Sequence, residues 1–222
     1  RSADISMYHQ KRIAKSNVNI YNDSLRLKQE REALLSYRLA NAIKENSLRL
    51  VFQPIVDSKT NKVTSFESLL RWQLDGENIF PDEFITIAEQ YGLITDLGIW
   101  VIEQACIQAQ KFNHLKPQIA VSVNVSVIQL QDPDFVNKVV EIVNLYTVEP
   151  KNLHIEITES VFAEDKLTFL TAVKALQKQG FCISIDDFGT GYSSLSSMLD
   201  IGVDIVKIDR SFIQNMDKRG LS

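Results

Sequence analysis

From Ile119 onward, β-type runs and helical patterns alternate one by one, and this order restricts the fold more than any other feature of the chain. Strands that alternate with helices pair in parallel, because each helix carries the chain back to the same edge of the sheet. The predicted strands are Ile119–Val127, Leu153–Thr158, Cys182–Asp187 and Val203–Asp209. The predicted helices are Pro133–Tyr146, Asp165–Gln179, a short one from Ser193 to about Leu199, and Ser211–Met216. The sequence therefore predicts an α/β fold with a parallel sheet.

The chain enters this sheet through a different kind of strand pair. Leu48–Val56 and Val63–Trp72 are β-type runs, joined by the polar stretch Asp57–Lys62. So short a connection cannot cross over to form a parallel pair, so we expect these two strands to be antiparallel neighbours. Two helices follow them, one that opens near Pro81 and one that contains Trp100.

The alternation of side chains along the strands favours a barrel over an open sheet. Asn124 lies between two valines that point the other way, and Glu156 lies between two isoleucines. An apolar face under helices and a polar inner face are typical of a TIM-type barrel, whose active site lies at the C-terminal ends of the strands. A closed barrel of this kind has eight strands, and about six are recognisable here. We therefore expect a TIM-type (β/α) barrel with an antiparallel first strand, incomplete in this chain.

Five β-type runs contain polar or charged residues where apolar ones are expected: Glu67, Asn124, Glu156, the pair Asp186 and Asp187, and Lys207. A buried carboxylate is costly without a partner, and these oxygen donors suit Mg²⁺ or Mn²⁺ rather than zinc. The adjacent aspartates are placed to reach two ions, which together activate water and stabilise the leaving oxygen in phosphodiester hydrolysis. The pattern predicts a metal-dependent enzyme without indicating which phosphodiester it cleaves.

The composition excludes several other classes of protein. A net charge of −4 argues against non-specific binding to nucleic acid, which requires a basic surface. Cys106 and Cys182 are interpreted as free core thiols of a reducing compartment, and the three histidines lack the spacing of a zinc site. The sequence contains no apolar run long enough to cross a bilayer and no signal peptide. We therefore expect this chain to lie in the cytoplasm. This expectation allows for an inner-membrane anchor in other segments of a longer parent protein.

Five motifs, in this order, resemble those of the EAL family of cyclic di-GMP phosphodiesterases. They are Phe66-Glu-Ser-Leu-Leu-Arg-Trp72, Val123-Asn-Val-Ser126, Ile155-Glu-Ile-Thr-Glu-Ser160, Ser184-Ile-Asp-Asp-Phe-Gly-Thr-Gly-Tyr-Ser-Ser-Leu195 and Val206-Lys-Ile-Asp-Arg-Ser-Phe212. The resemblance runs from about Leu48 to the last residue. It implies a TIM-type barrel that hydrolyses cyclic di-GMP to linear 5′-pGpG in bacterial second-messenger signalling, with two Mg²⁺ or Mn²⁺ ions in the intact domain.

The resemblance also implies which residues would hold the ions. By matching motif, Glu67, Asn124, Glu156 and Asp186 would hold the first ion. Asp186 and Asp187 would reach the second.

The same matching implies roles for further residues around the ions. Lys207 would orient or polarise the attacking water, and Glu159 would brace the Asp187–Ser194 loop. Gln53 and Arg71 would contact the substrate, with Arg71 as a charged donor to phosphate.

The sequence departs from the family pattern in two ways. The signature is Glu67-Ser68-Leu69 in place of Glu-Ala-Leu, which keeps the ligand. The family's catalytic glutamate on the seventh strand, and a glutamine beyond it, belong to segments that this sequence does not contain. We therefore expect the 222-residue chain on its own to be inactive, and to be poorly soluble or to associate through its open strand edges. The rival interpretation is a catalytically inactive cyclic di-GMP receptor or signalling scaffold, which the retained ligands disfavour.

The N-terminal part predicts the domain organisation. Residues 1–22 are similar to the last helix of a GGDEF domain, which often precedes EAL domains, and residues 23–46 form a linker helix. This helix either packs on its own domain or passes a signal and pairs with a second copy. Residues 47–222 are the partial EAL domain. The expected partners are cyclic di-GMP, an upstream GGDEF or sensory domain in the parent chain, and a second subunit in a homodimer.

Overall fold

The computed structural model describes residues 23–115, 119–159, 166–189 and 201–211. The helices of these residues are α1 (Asp23–Lys44), α2 (Pro81–Gln90), α3 (Ile94–Leu115), α4 (Val127–Leu130), α5 (Phe135–Leu145) and α6 (Lys166–Lys178). The strands are β1 (Arg49–Val56), β2 (Val63–Leu74), β3 (Glu77–Ile79), β4 (Ala120–Asn124), β5 (Leu153–Thr158), β6 (Cys182–Phe188) and β7 (Ile205–Ile208).

One sheet holds the strands in the order β1-β2-β4-β5-β6-β7, and β3 pairs with β2 outside this path. Strands β1 and β2 are antiparallel, whereas each neighbouring pair from β2 to β7 is parallel. The carboxylate of Asp57 closes the turn between β1 and β2 by accepting the backbone N–H groups of Lys59 and Thr60 at 3.1 and 2.7 Å. The predicted antiparallel entry and parallel continuation are both confirmed.

The two faces of this sheet differ in polarity. The apolar residues of β4, β5 and β6 are fully buried under the helices: Val121, Val123, Ile155, Ile157, Ile183 and Ile185. The residues that alternate with them point to the opposite face: Ser122, Asn124, His154, Glu156, Ser184 and Asp186. The curled sheet is a TIM-type half-barrel with a polar inner face, as the sequence predicts, and the barrel is incomplete in the described residues.

Helix α1 packs on its own domain. Leu35, Leu39 and Ala42 are buried in the common core. On its outer side, Arg31 donates from Nε to Glu83 of α2 at 2.6 Å and from Nη2 to Glu77 of β3 at 2.8 Å. The role of this helix as a linker stays a prediction.

Two short elements differ from the sequence prediction. The predicted strand Ile119–Val127 is too long, since β4 ends at Asn124 and Ser126 caps α4 in a capping box with Gln129. The β2–β3 hairpin was not predicted, although its turn residues Asp75 and Gly76 both have positive φ. An Asp-Gly pair is typical of such a two-residue turn, so the signal was present in the sequence.

Several predictions fall outside the described residues. They concern the GGDEF-like stretch 1–22, the helix Ser193–Leu199 and all but the first residue of the helix Ser211–Met216. Within the described ranges, the helices are all too short or too polar to traverse a lipid bilayer.

Both cysteines are expected to react slowly with thiol reagents in the folded chain. Burial raises the pKa of Cys106 to about 12 and that of Cys182 to about 11, compared with about 8.5 for a free thiol. Because the thiolate is the nucleophile, alkylation near pH 8 should be on the order of a thousandfold slower for Cys106, and a hundredfold slower for Cys182, than for a model thiol. Mass spectrometry after labelling with iodoacetamide, with and without urea, measures both rates. Rapid labelling of Cys106 without urea would contradict its burial.

Candidate metal and substrate site

Charged side chains from four strands meet on the polar face of the sheet. Lys207 of β7 places its Nζ 2.9 Å from Glu67 Oε2, 2.9 Å from Glu156 Oε2 and 2.9 Å from Asp186 Oδ2. One oxygen from each of the three carboxylates lies within 4.8 Å of those of the other two. We call Glu67, Glu156 and Asp186 the carboxylate cluster. Lys207 and the three residues of the carboxylate cluster were all predicted from the sequence as site residues, and the structure brings them together.

The fold itself produces this convergence. Each of the four residues occupies an inward position on its strand, and the sheet holds these strands in the order β2, β5, β6 and β7, with β4 between β2 and β5. In the β4–β5 pair, Asn124 is registered with Glu156. Inward residues at the same level of neighbouring parallel strands lie side by side, and Glu67 is the last residue of β2 that pairs with β4.

Burial and the neighbouring charges shift the pKa values of Lys207 and Glu156. Burial alone would lower the pKa of Lys207, but hydrogen bonds to Glu156 and Asp186 and the charge of Glu156 outweigh burial, so its pKa is raised. Glu156 is 2% exposed. Burial raises the pKa of Glu156, an effect that Lys207 partly offsets and that the charges of Glu67 and Asp186 reinforce. The lysine therefore stays protonated and provides the cluster with a cation.

Two other predicted ligands lie at the rim of the cluster. Asn124 donates from Nδ2 to Glu67 Oε1 at 3.4 Å. Asp187 has an exposed side chain and a left-handed backbone, with φ of 55°. Its backbone N–H donates to Asp186 Oδ1 at 2.9 Å. Although the side chain is largely exposed, partial burial of the carboxyl, followed by the charges of Asp186 and Asp209, raises the pKa of Asp187.

Glu159, the residue after β5, is buried and contacts the loop that follows β6. It is 1% exposed, and its Oε2 accepts the backbone N–H of Gly189 at 3.0 Å. This contact ties the end of β5 to the residue that follows β6. Of the predicted loop Asp187–Ser194, the structure describes residues 187–189.

The two residues assigned to the substrate flank the cluster along the first hairpin. Gln53 is exposed and pairs directly opposite Glu67, so the two side chains share one face of the sheet. Arg71 also lies on that face, four residues beyond Glu67. Its Nη1 donates to the carbonyl oxygen of Leu70 at 2.8 Å.

Arg71 and Asn124 line a cavity of about 480 Å³ between the ends of β2 and β4 and the helices α2 and α3. Its wall includes a contact that sequence reasoning missed, in which Ser126 Oγ donates to Glu89 Oε1 at 2.5 Å. Ser126 also begins the capping box of α4, and the Ser-x-x-Gln spacing of that box is a signal that could have identified it. A small-molecule-sized cavity therefore opens next to the carboxylate cluster.

The sequence and the fold both match known proteins over most of the chain. A model of the EAL domain family matches residues 37–222. The chain belongs to the EAL domain family. Among relatives of this EAL domain is the signaling protein YkoW of Bacillus subtilis, 36% identical over 217 residues, which are 97% of this chain and 27% of that protein.

Two further relatives carry names that describe an activity. The bifunctional diguanylate cyclase/cyclic di-GMP phosphodiesterase MucR of Pseudomonas aeruginosa is 33% identical over 219 residues, 97% of this chain and 32% of that protein. The probable cyclic di-GMP phosphodiesterase PdeB of Escherichia coli is 34% identical over 187 residues, 84% of this chain and 36% of that protein. The EAL domain described here thus spans about a quarter to a third of these relatives.

Solved structures show the same architecture. The MucR phosphodiesterase in complex with cyclic di-GMP superposes with a TM-score of 0.77 at 34% identity, covering 83% of this chain and 75% of that one. The EAL enzyme Bd1971, bound to cAMP and cyclic di-GMP, superposes with a TM-score of 0.77 at 29% identity, covering 86% of this chain and 53% of that one.

The donors of this EAL domain fit a hard divalent cation. Three carboxylates and one amide offer oxygen ligands alone, as Mg²⁺ and Mn²⁺ prefer. The cluster also contains more negative charge than the single ammonium neutralises.

Proposed function

We propose that this EAL domain hydrolyses cyclic di-GMP to linear 5′-pGpG with the help of bound Mg²⁺ or Mn²⁺. The observation that carries the proposal is the convergence of three carboxylates, from β2, β5 and β6, beside a cavity at the C-terminal ends of the strands. The names of MucR and PdeB and the cyclic di-GMP complex of MucR support the choice of substrate.

In this proposal the cluster residues Glu67, Glu156 and Asp186, together with Asn124, hold the first ion. Such an ion supplies activation of water and neutralisation of charge on the phosphate. Asp186 and Asp187 hold the second ion, since Asp187 directly follows a cluster residue and its side chain is exposed at the rim.

The remaining residues position the substrate and the loop around it. Arg71 lines the cavity and offers a charged donor to a phosphate oxygen. Gln53 shares its face of the sheet and contacts the same ligand. Lys207 orients the water, and Glu159 holds the backbone that follows Asp187 through Gly189.

The proposal extends to the rest of the protein. The match to MucR, whose name includes a diguanylate cyclase, supports an upstream GGDEF domain connected through α1. A homodimer is part of the proposal as well, as in the sequence-based prediction.

The decisive experiment is an assay of the natural protein that carries this domain. Incubation with cyclic di-GMP and Mg²⁺ or Mn²⁺ is expected to release pGpG, and EDTA is expected to stop the release. Chromatography measures both nucleotides, and calorimetry measures binding in parallel. Tight binding without turnover would favour the receptor interpretation, and neither binding nor turnover would contradict the proposed function.

A further inference from the structure

We propose that the ammonium of Lys207 is the internal counter-ion of the carboxylate cluster, and that a divalent ion binds only by displacing it from the centre of that cluster. Lys207 would then set the affinity of the site for metal, in addition to any role toward the water. The proposal rests on the metal site of the proposed function.

The geometry makes the two cations mutually exclusive. Nζ of Lys207 lies 2.9 Å from an oxygen of Glu67, of Glu156 and of Asp186. An Mg²⁺ ion that binds those oxygens at about 2.1 Å must lie in the same space between them. Two cations cannot share that space, because both the steric overlap and the repulsion between like charges oppose it. The ammonium must therefore move outward when the ion enters.

The charges explain why a lysine is placed there. Glu156 is 2% exposed and lies beside two further carboxylates, so the cluster needs a cation in order to remain ionised and folded. The ammonium supplies that charge in the absence of a metal ion. Its side chain is 23% exposed on β7, so it has solvent to move into. A lysine has a flexible four-carbon stem, which allows this movement without a shift of the backbone.

The test replaces Lys207 with methionine, which has a similar length and no charge, and measures Mn²⁺ binding by calorimetry on the natural protein. Because Mn²⁺ no longer has to displace the ammonium, Lys207→Met is expected to bind Mn²⁺ more tightly, by roughly tenfold. In EDTA the variant should have a lower Tm than the wild type, and saturating Mn²⁺ should remove most of that difference. Equal or weaker binding of Mn²⁺ by Lys207→Met would overturn the proposal.

A matched control separates this local effect from a change in net charge. Lys151→Met also deletes one positive charge, but Lys151 precedes β5 and pairs with the exposed Glu149 at 2.6 Å. It should leave the Mn²⁺ affinity unchanged, and a tenfold gain in this variant as well would count against a local counter-ion.

A measurement on the wild type covers the case in which Lys207→Met does not fold. The NMR signal of the Lys207 ammonium should be protected from exchange in EDTA and lose that protection on titration with Mg²⁺. Protection that persists in saturating Mg²⁺ would overturn the proposal. If the wild type bound neither Mn²⁺ nor Mg²⁺, the metal site of the proposed function would be disproved as well. Normal metal binding with Lys207 still in place would disprove the counter-ion proposal alone.

Discussion

Replacing Glu67 with glutamine, or Asp186 with asparagine, is expected to abolish metal-dependent conversion of cyclic di-GMP to pGpG. Each change keeps the size of the side chain and removes one negative charge from the carboxylate cluster. Loss of residues that merely support metal ligands costs roughly 10–100-fold, so loss of a ligand's charge should reduce turnover by at least about a hundredfold. Release of pGpG at saturating Mn²⁺ measures the effect.

A matched control for both changes is Glu77→Gln, which removes an exposed carboxylate that pairs with Arg31 far from the cluster. Its turnover should stay close to that of the wild type. Circular dichroism and thermal unfolding show whether each variant is folded. A folded Glu67→Gln or Asp186→Asn protein with turnover within a few-fold of the wild type would disprove the metal assignment.

The second large effect is expected from Gly98→Ala in helix α3. A Cβ at this position would lie 1.8 Å from Nε2 and 2.6 Å from Cδ of Gln129, which is 2% exposed. To make room, Gln129 must give up the hydrogen bond that its Oε1 accepts from the backbone N–H of Ser126 at 3.0 Å. Overpacking of this kind costs about 1–3 kcal/mol, more than the roughly 1 kcal/mol that alanine gains over glycine in a helix. Loss of the Ser126–Gln129 hydrogen bond adds roughly 1 kcal/mol, so urea unfolding should show a net loss of about 2 kcal/mol.

A double-mutant cycle tests the cause of that loss. Gln129→Ala alone removes the capping interaction and the steric obstacle together. In that background Gly98→Ala should stabilise the protein by a few tenths to about 1 kcal/mol, because only the gain in helix propensity remains. A destabilising effect of the same size in both backgrounds would rule out the clash with Gln129 as its origin.

The sheet and its polar face could be predicted from the sequence because both depend on short-range patterns. The short Asp57–Lys62 connection requires an antiparallel pair, and the alternation around Asn124 and Glu156 assigns each side chain to a face. Neighbouring parallel strands then place inward residues of the same level side by side, which is why the carboxylate cluster was predictable as a set. The β2–β3 hairpin has a turn signal at Asp75 and Gly76, but β3 is only three residues long and shows no β-type alternation of its own.

The distances within the site could not be predicted, because they depend on how strongly the sheet curls. No pattern in the sequence indicates that Lys207 reaches three carboxylates at once, since β7 and β2 are separated by three other strands in the sheet. The contact between Ser126 and Glu89 joins elements that are 37 residues apart. The left-handed backbone of Asp187 is likewise a local conformation that its neighbours in the sequence do not require.

Helix α2 contacts helix α1 on one side and the cavity on another. Glu83 and Thr86 face α1, with Glu83 bound to Arg31, while Ile85 and Glu89 form part of the cavity wall. Because α1 and the cavity wall both contact α2, a displacement of α1 would reach that wall through α2. Helix α2 therefore connects the segment before the barrel to the cavity by a route that does not involve the carboxylate cluster.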